Sequence, residues 1–301
     1  MIETIGGVTL NLDKYSGTDT YSDGDIEERI LDIVKNETDL ESVLMQESEW
    51  AILYHLSEIR KNILDWYDFK PEGSLLEIGA GCGAITGLFC EKLNRVVCND
   101  LSKRRSTINA YRNRKYDNLE ILVSNFEDME ITETFDYVSL IGVLEYSIYY
   151  IHSENPFVDM LKKCRSYLKP GGKLFIAIEN KYGLKYFAGA KEDHTGRVFE
   201  GLEGYPNGGK ARTFSKDTLK QMISDAGFSA SYFYYPIPDY KMPMQIFSED
   251  YLPSEGDFSE PMPTFDQDRV MTFDEVKVFN ELAKDESFEF FSNSFLVECS
   301  Y

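Results

Sequence analysis

Cysteine is scarce in this chain and badly spaced for pairing. The five cysteines are Cys82, Cys90, Cys98, Cys164 and Cys299, an odd number with no C-x-x-C pair among them. This excludes a disulfide framework and a zinc ribbon, and no metal site is expected. Basic residues are also short, with 31 Lys and Arg against 52 Asp and Glu and a formal net charge of −21. Such a balance argues against phosphate-backbone binding, so no nucleic acid partner is expected. It argues equally against docking on anionic lipid. No apolar run reaches the ~20 residues that a membrane helix needs. The opening Met1-Ile-Glu-Thr-Ile-Gly-Gly lacks the basic and apolar regions of a secretion signal. A cytoplasmic location with reduced thiols is the simplest expectation.

Aromatic residues are abundant, with 20 Tyr and 20 Phe, and Tyr232-Phe-Tyr-Tyr235 is their densest cluster. The pattern along the chain alternates. Residues 1–24 are turn-rich with room for a small hairpin. Residues 25–34 suggest a short helix, and 50–67 a longer one with Ile52, Leu56, Ile59 and Ile63 at helical spacing. Strands are then predicted at 74–78, 95–99, 119–123, 135–141 and 173–178, with helices between them. Asn155-Pro156 reads as a cap and first turn, and Lys169-Pro-Gly-Gly172 as a stop. Such alternation implies a doubly wound α/β fold with a mostly parallel sheet. Past residue 180 the rhythm loosens. A helix at 215–226, a strand at 228–235, a helix opened by the capping box Thr272-Phe-Asp-Glu275 and a last strand at 290–299 are predicted.

Residues 75–83 read Leu-Leu-Glu-Ile-Gly-Ala-Gly-Cys-Gly. An apolar strand runs into an acid, then a loop with glycine at every second position, then a helix start. Glycine lets backbone approach a ligand where a Cβ would collide, and the helix start offers unpaired N–H groups. Gly79-x-Gly81-x-x-Ala84 also fits a dinucleotide fingerprint, with Asp100 about twenty residues on, where an acid takes ribose hydroxyls. An NAD-dependent oxidoreductase or epimerase, and a nucleoside-binding scaffold without catalysis, are the alternatives to keep. Three further features weigh against them: Glu77 inside the first strand, the turn Gly142-Val-Leu-Glu145-Tyr146 after the fourth, and Leu168-Lys-Pro-Gly-Gly-Lys-Leu-Phe-Ile176 leading into the fifth.

With these motifs, which span about residues 50–180, the chain resembles the class I S-adenosylmethionine-dependent methyltransferases. The resemblance implies a Rossmann-like sheet of seven strands with the last antiparallel, and S-adenosylmethionine as cofactor. It implies an N-terminal extension and helical cap over 1–70, and a methyltransferase domain over 71–301 with 182–212 and 236–290 as substrate-side insertions. It places Glu77 near the methionine end of the cofactor. Gly79, Ala80, Gly81 and Gly83 would pass beneath it. Asp100 and Leu101 would meet the ribose, Asn125 and Phe126 the adenine, and Gly142 and Val143 the methionine moiety through backbone groups. Arg60 is a candidate partner of the cofactor carboxylate.

Methyl transfer needs mainly alignment and water exclusion, and a base only where the acceptor loses a proton. Of the three histidines, His55 reads as structural and His152 as lying after the fourth strand. His194 sits in Glu192-Asp-His-Thr-Gly196, where a neighbouring carboxylate can raise its basicity. His194 is the candidate base and Glu145 the alternative. Glu179 and Asn180 close the fifth strand on the acceptor side, and Arg197 and Arg212 would anchor an anionic acceptor. The run 178–189, with Glu192-Asp-His-Thr-Gly196 and Glu203-Gly-Tyr205, is similar to bacterial methyltransferases of surface-polysaccharide synthesis. That likeness implies a glycan or other small-molecule acceptor methylated at a hydroxyl. An exposed aromatic surface would suit a homodimer.

Overall fold

The computed structural model describes residues 1–19, 24–37, 39–263 and 269–301. They divide into two compact units, one of residues 1–141, 163–174 and 301, the other of 142–162 and 175–300.

The first unit opens with β1 (Ile2–Ile5) and β2 (Val8–Asn11), which pair antiparallel as the expected hairpin. β3 (Ser74–Ile78), β4 (Arg95–Asp100), β5 (Leu119–Val123) and β6 (Phe135–Ile141) follow. Their order is β1-β2-β5-β4-β3-β6, and every pair from β2 to β6 is parallel. β3 is buried at all five positions, as a strand flanked on both sides must be. The chain leaves β3 toward β4 on one side and returns to β6 on the other. That reversal opens a crevice at the carboxyl ends of the strands. The helix Ile26–Asn36 turns Ile30 and Val34 into a cluster with Ile52, Leu56, Cys82 and Ile108, next to the glycine loop.

The expected helix at 50–67 is in fact two pieces. The α-helix Trp50–Leu56 stops at Ser57, whose hydroxyl accepts from the Ile59 N–H at 3.2 Å and starts a 3-10 turn, Glu58–Ile63. A serine that bonds its own backbone competes with the helical ladder.

β7 (Leu168–Glu179) begins in the first unit and ends in the second. The second unit adds β8 (Ala230–Ile237), β9 (Gln245–Ser248) and β10 (Ser294–Ser300), in the order β7-β10-β8-β9. β8 pairs antiparallel with both β10 and β9. Ten strands are thus found among the described residues rather than seven. The three extra ones are the hairpin β1–β2 and the short β9. The fold is α/β with a mostly parallel sheet in its first unit, as the alternation implies. The helix Glu275–Lys284 is capped by Asp274 and not by Thr272, because the Asp274 carboxylate accepts from the Val276 and Lys277 N–H groups.

Alternation along β8 sends Phe233, Tyr235 and Ile237 inward. Tyr235 meets Phe288 and Phe295 edge-on, and Phe288 packs with Phe247, Phe258 and Phe279. Much of the aromatic excess therefore fills a core and is not available for stacking on a ligand.

Candidate functional site

The first unit presents a backbone cradle. Gly79 and Ala80 leave β3 with their N–H groups donated to the Asn99 carbonyl at 2.8 and 3.2 Å. Gly81 and Gly83 both have left-handed φ, 54° and 74°, which side chains other than glycine rarely adopt. Their surroundings differ. A Cβ on Gly83 would lie 2.3 Å from Asn109 Oδ1, whereas one on Gly81 would meet nothing within 4 Å. Gly83 is therefore glycine for packing, and Gly81 borders open space. The Gly81 N–H donates to Asp100 Oδ2 at 2.8 Å, and the Ser102 N–H to Oδ1 at 2.9 Å. Burial raises the Asp100 carboxyl above its ordinary value despite these two donors. Leu101 beside it is half-buried.

Glu77 is buried within β3, 6% exposed. Its Oε2 accepts from the Thr86 hydroxyl at 2.6 Å and the Cys98 thiol at 3.2 Å, which ties β3 to the first turn of the helix Thr86–Lys92. Burial pushes its carboxyl up to about 7 against those hydrogen bonds. Asn125, half-buried, precedes the 3-10 turn Phe126–Asp128. Phe126 is buried against Tyr167, with Lys163 Nζ 5.2 Å from its ring centre. Arg60 is buried with its guanidinium 4.0 Å above the Tyr54 ring.

The second unit holds a buried polar cluster. Glu145 sits in the 3-10 turn Leu144–Tyr146, Glu179 at the end of β7, and His194 in the loop after the short helix Leu184–Phe187. Their side chains are 2%, 1% and 6% exposed. One potential ligand atom of each lies within 4.8 Å of the other two. The Glu192 carboxylate accepts the His194 and Thr195 N–H groups at 3.0 and 2.7 Å and meets His194 Nδ1 at 2.9 Å. The ring is thereby fixed with Nε2 3.9 Å from Glu145 Oε1, an ion-pair contact rather than a hydrogen bond. Tyr146 packs edge-on against the ring.

Beside these stand Lys241, with Nζ 2.9 Å from Glu179 Oε1, and Tyr240, whose hydroxyl donates to the same oxygen at 3.3 Å. Asp193 is gripped by Lys185, Lys241 and the Tyr186 hydroxyl. Burial alone would lower His194, but Glu145 and Glu192 override it and hold the imidazole at about 11. Burial raises Glu145 against the pull of His194. For Asp193 the two lysines outweigh burial and keep the carboxyl well below its usual range. Lys241 is correspondingly held above its usual range, with Asp193 overcoming the burial cost.

His194 and Glu145, expected as alternatives, thus share one cluster, and Glu179 joins them. His194 is not a loop residue in solvent. Asn180 departs from its expected role, because its amide donates to the Phe290 and Ser292 carbonyls and its oxygen accepts from the Tyr182 N–H. All its polar groups are spent on backbone, so it pins loops. Arg197 is exposed. The Arg212 N–H donates to the Glu145 carbonyl at 3.1 Å and its guanidinium stacks 4.3 Å from the Tyr205 ring, so it supports the cluster without facing its carboxylates. Gly142, with φ 68°, faces the Tyr240 hydroxyl, which would be 2.9 Å from an added Cβ, and Val143 beside it is half-buried. His55 is buried and His152 exposed. Lys241 and Tyr240 carry no sequence signal, since they lie 48 and 61 residues from their partners Asp193 and Glu179, and Lys185 has none beyond its residue type. Glu192 was adjacent to His194 and could have been chosen.

No helix among the described residues is long and apolar enough to cross a membrane. No curated protein matches the chain. Among solved structures, Haemonchus contortus phosphoethanolamine N-methyltransferase 1, in complex with phosphoethanolamine and S-adenosylhomocysteine, is similar at 12% identity and a TM-score of 0.50. That likeness covers 92% of this chain and 48% of that one. A Thermotoga maritima S-adenosylmethionine-dependent methyltransferase is similar at 15% identity over 90% of this chain and 99% of that one, with a TM-score of 0.48. The N-methyltransferase NodS of Bradyrhizobium japonicum, bound to S-adenosylhomocysteine, is similar at 12% identity over 91% and 97%, with a TM-score of 0.45. At these identities the likeness is one of fold. Residues 76–174, which include the glycine cradle, match the methyltransferase domain family.

Proposed function

We propose that the protein is an S-adenosylmethionine-dependent methyltransferase that methylates a hydroxyl of a small-molecule or glycan acceptor. One observation carries this reading: the loop Gly79–Gly83 is open at Gly81 and tied to Asp100, inside a segment that matches a methyltransferase domain. Asp100 retains lone pairs for the ribose hydroxyls after accepting two N–H groups. Asn125 and Phe126 border the adenine, and Glu77 holds the loop's entry and exit together.

The donor's sulfonium is already activated. When bound at the cradle, S-adenosylmethionine would supply a sulfonium methyl group for in-line transfer to the acceptor oxygen, leaving a neutral thioether. The protein's share is alignment, exclusion of water and removal of the hydroxyl proton. We assign the acceptor to the buried cluster of Glu145, Glu179 and His194. Glu145 Oε2 and Glu179 Oε2 have no hydrogen-bond partner among the described residues and can accept from an O–H group. The resemblance to methyltransferases of surface-polysaccharide synthesis favours a sugar hydroxyl.

Calorimetric titration tests the cofactor and homocysteine release tests the acceptor. S-adenosylhomocysteine is expected to bind at micromolar concentration and NAD not to bind. Turnover is expected with a member of a panel of sugars, nucleotide-sugars and phenols. Binding of NAD in preference to S-adenosylhomocysteine would overturn the reading.

A further inference from the structure

Two buried carboxylate oxygens in the second unit, Glu145 Oε2 and Glu179 Oε2, have no hydrogen-bond partner among the described residues. Leaving such atoms desolvated and unpaired is costly unless a bound group satisfies them. Charge points the same way. Glu145, Glu179, Glu192, Asp193 and Asp239 bring five carboxylates, against the ammonium groups of Lys185 and Lys241 and the single imidazole of His194. The two lysines are committed to Asp193, Asp239 and Glu179 Oε1. None is aimed at the two orphan oxygens.

The histidine is built as a ligand is built. Its Nδ1 is held by Glu192, and Glu192 is itself fixed by two backbone N–H groups. Metal-bound histidines characteristically hand their second nitrogen to a carboxylate in this way, which fixes ring orientation and tautomer. Nε2 then lies 3.9 Å from Glu145 Oε1, and one ligand atom each of Glu145, Glu179 and His194 lies within 4.8 Å of the other two.

We propose that Glu145, Glu179 and His194 Nε2 form a mononuclear site for a divalent transition-metal ion, with Glu192 as the residue that positions the imidazole. Two carboxylate oxygens and one imidazole nitrogen suit Mn2+, Fe2+ or Zn2+ better than Ca2+, which prefers six to eight oxygens. Three protein ligands leave coordination positions open, so an oxygen-bearing acceptor can reach the ion. The imidazole gives up its Nε2 proton as the ion enters.

Cation uptake can be measured without methyl donor or acceptor, so its failure and that of the methyl-transfer reading are distinguishable. The full chain, stripped with EDTA and dialysed, is titrated with Co2+, Mn2+ and Zn2+ by calorimetry, and the Co2+ form is read by visible absorption. One ion per chain is expected, with ligand-field bands unlike those of the aquo ion. Glu145→Gln, Glu179→Gln and His194→Ala should each abolish uptake, and Glu192→Gln should weaken it about 10- to 100-fold. Thermal melts of each variant separate lost ligands from lost folding. Where a variant does not fold, the wild-type spectrum decides, because an aquo-like Co2+ spectrum overturns the proposal. Uptake that survives in the folded variants, or a cluster that takes methylamine but no metal, overturns it as well.

Discussion

The Gly81 amide donates to Asp100 Oδ2 at 2.8 Å, so the middle of the glycine loop is clamped to the end of β4 by the acid expected to meet the ribose. One carboxylate therefore shapes the loop, and it keeps lone pairs that hydroxyl donors could use. Replacing it removes both the clamp and the acceptor. Asp100→Ala should weaken S-adenosylhomocysteine binding by about 10- to 100-fold, the range of one charged hydrogen bond or slightly more. Asp100→Asn, which keeps an acceptor for Gly81, should lose less. Calorimetry on both variants checks this, and equal affinity for wild type and Asp100→Ala would refute the assignment.

Gly81 and Gly83 separate backbone strain from ligand clearance. Both have left-handed φ, which costs an alanine about 1–2 kcal/mol. At Gly83 the new methyl would also meet Asn109 Oδ1 at 2.3 Å, so Gly83→Ala should lower the melting temperature more than Gly81→Ala does. At Gly81 the methyl would meet nothing within 4 Å among the described residues and would enter the space where the cofactor is proposed to lie. Gly81→Ala should thus stay folded while losing most of its cofactor affinity. Paired melts and binding titrations show whether the two costs separate. A Gly81→Ala variant that binds normally would place the cofactor elsewhere.

The cradle was legible in the sequence because its chemistry is local. Glycine spacing and an acid at the end of the next strand are both written within about 25 residues, and β3 to β6 follow the alternation that short connections impose. β9 was missed because four residues among prolines carry too little pattern. The cluster was only partly legible. His194 and Glu145 could be chosen by residue type, but nothing local indicates that β7 ends beside them or that Lys241, 48 residues on, grips Asp193. Such ion pairs depend on tertiary packing, which periodicity does not encode. The aromatic excess was ambiguous for the same reason, since composition cannot tell a core ring such as Tyr235 from a surface one.

The cluster should govern turnover rather than cofactor affinity. Glu145→Gln should lower kcat by about 100- to 10,000-fold, the usual worth of positioned proton transfer, and His194→Ala should lower it through Glu145, which loses the charge of the protonated imidazole beside it. S-adenosylhomocysteine should bind both variants as it binds wild type, since Glu145 and His194 are assigned to the acceptor. Homocysteine release gives kcat once an acceptor is found, and calorimetry gives the affinity. Full turnover in both variants would remove the cluster from the reaction.

Glu77 predicts a pH dependence of stability. Its carboxyl ionises near 7 in the folded protein, against an ordinary value of 4.5. Between those two values the folded state keeps a proton that the unfolded chain releases. Stability should therefore fall as pH rises from 4.5 to 7, by about 3 kcal/mol in total, and level off above 7. Below 4.5 both states are protonated and the group adds no slope. Glu77→Gln is neutral throughout, and its amide oxygen can still accept from the Thr86 hydroxyl. The variant should match wild type at low pH and exceed it at pH 8. Urea unfolding at intervals from pH 4 to 8 reads the difference directly. Parallel curves for the two proteins would mean that Glu77 keeps an ordinary carboxyl, solvated by water or a counter-charge within the strand end.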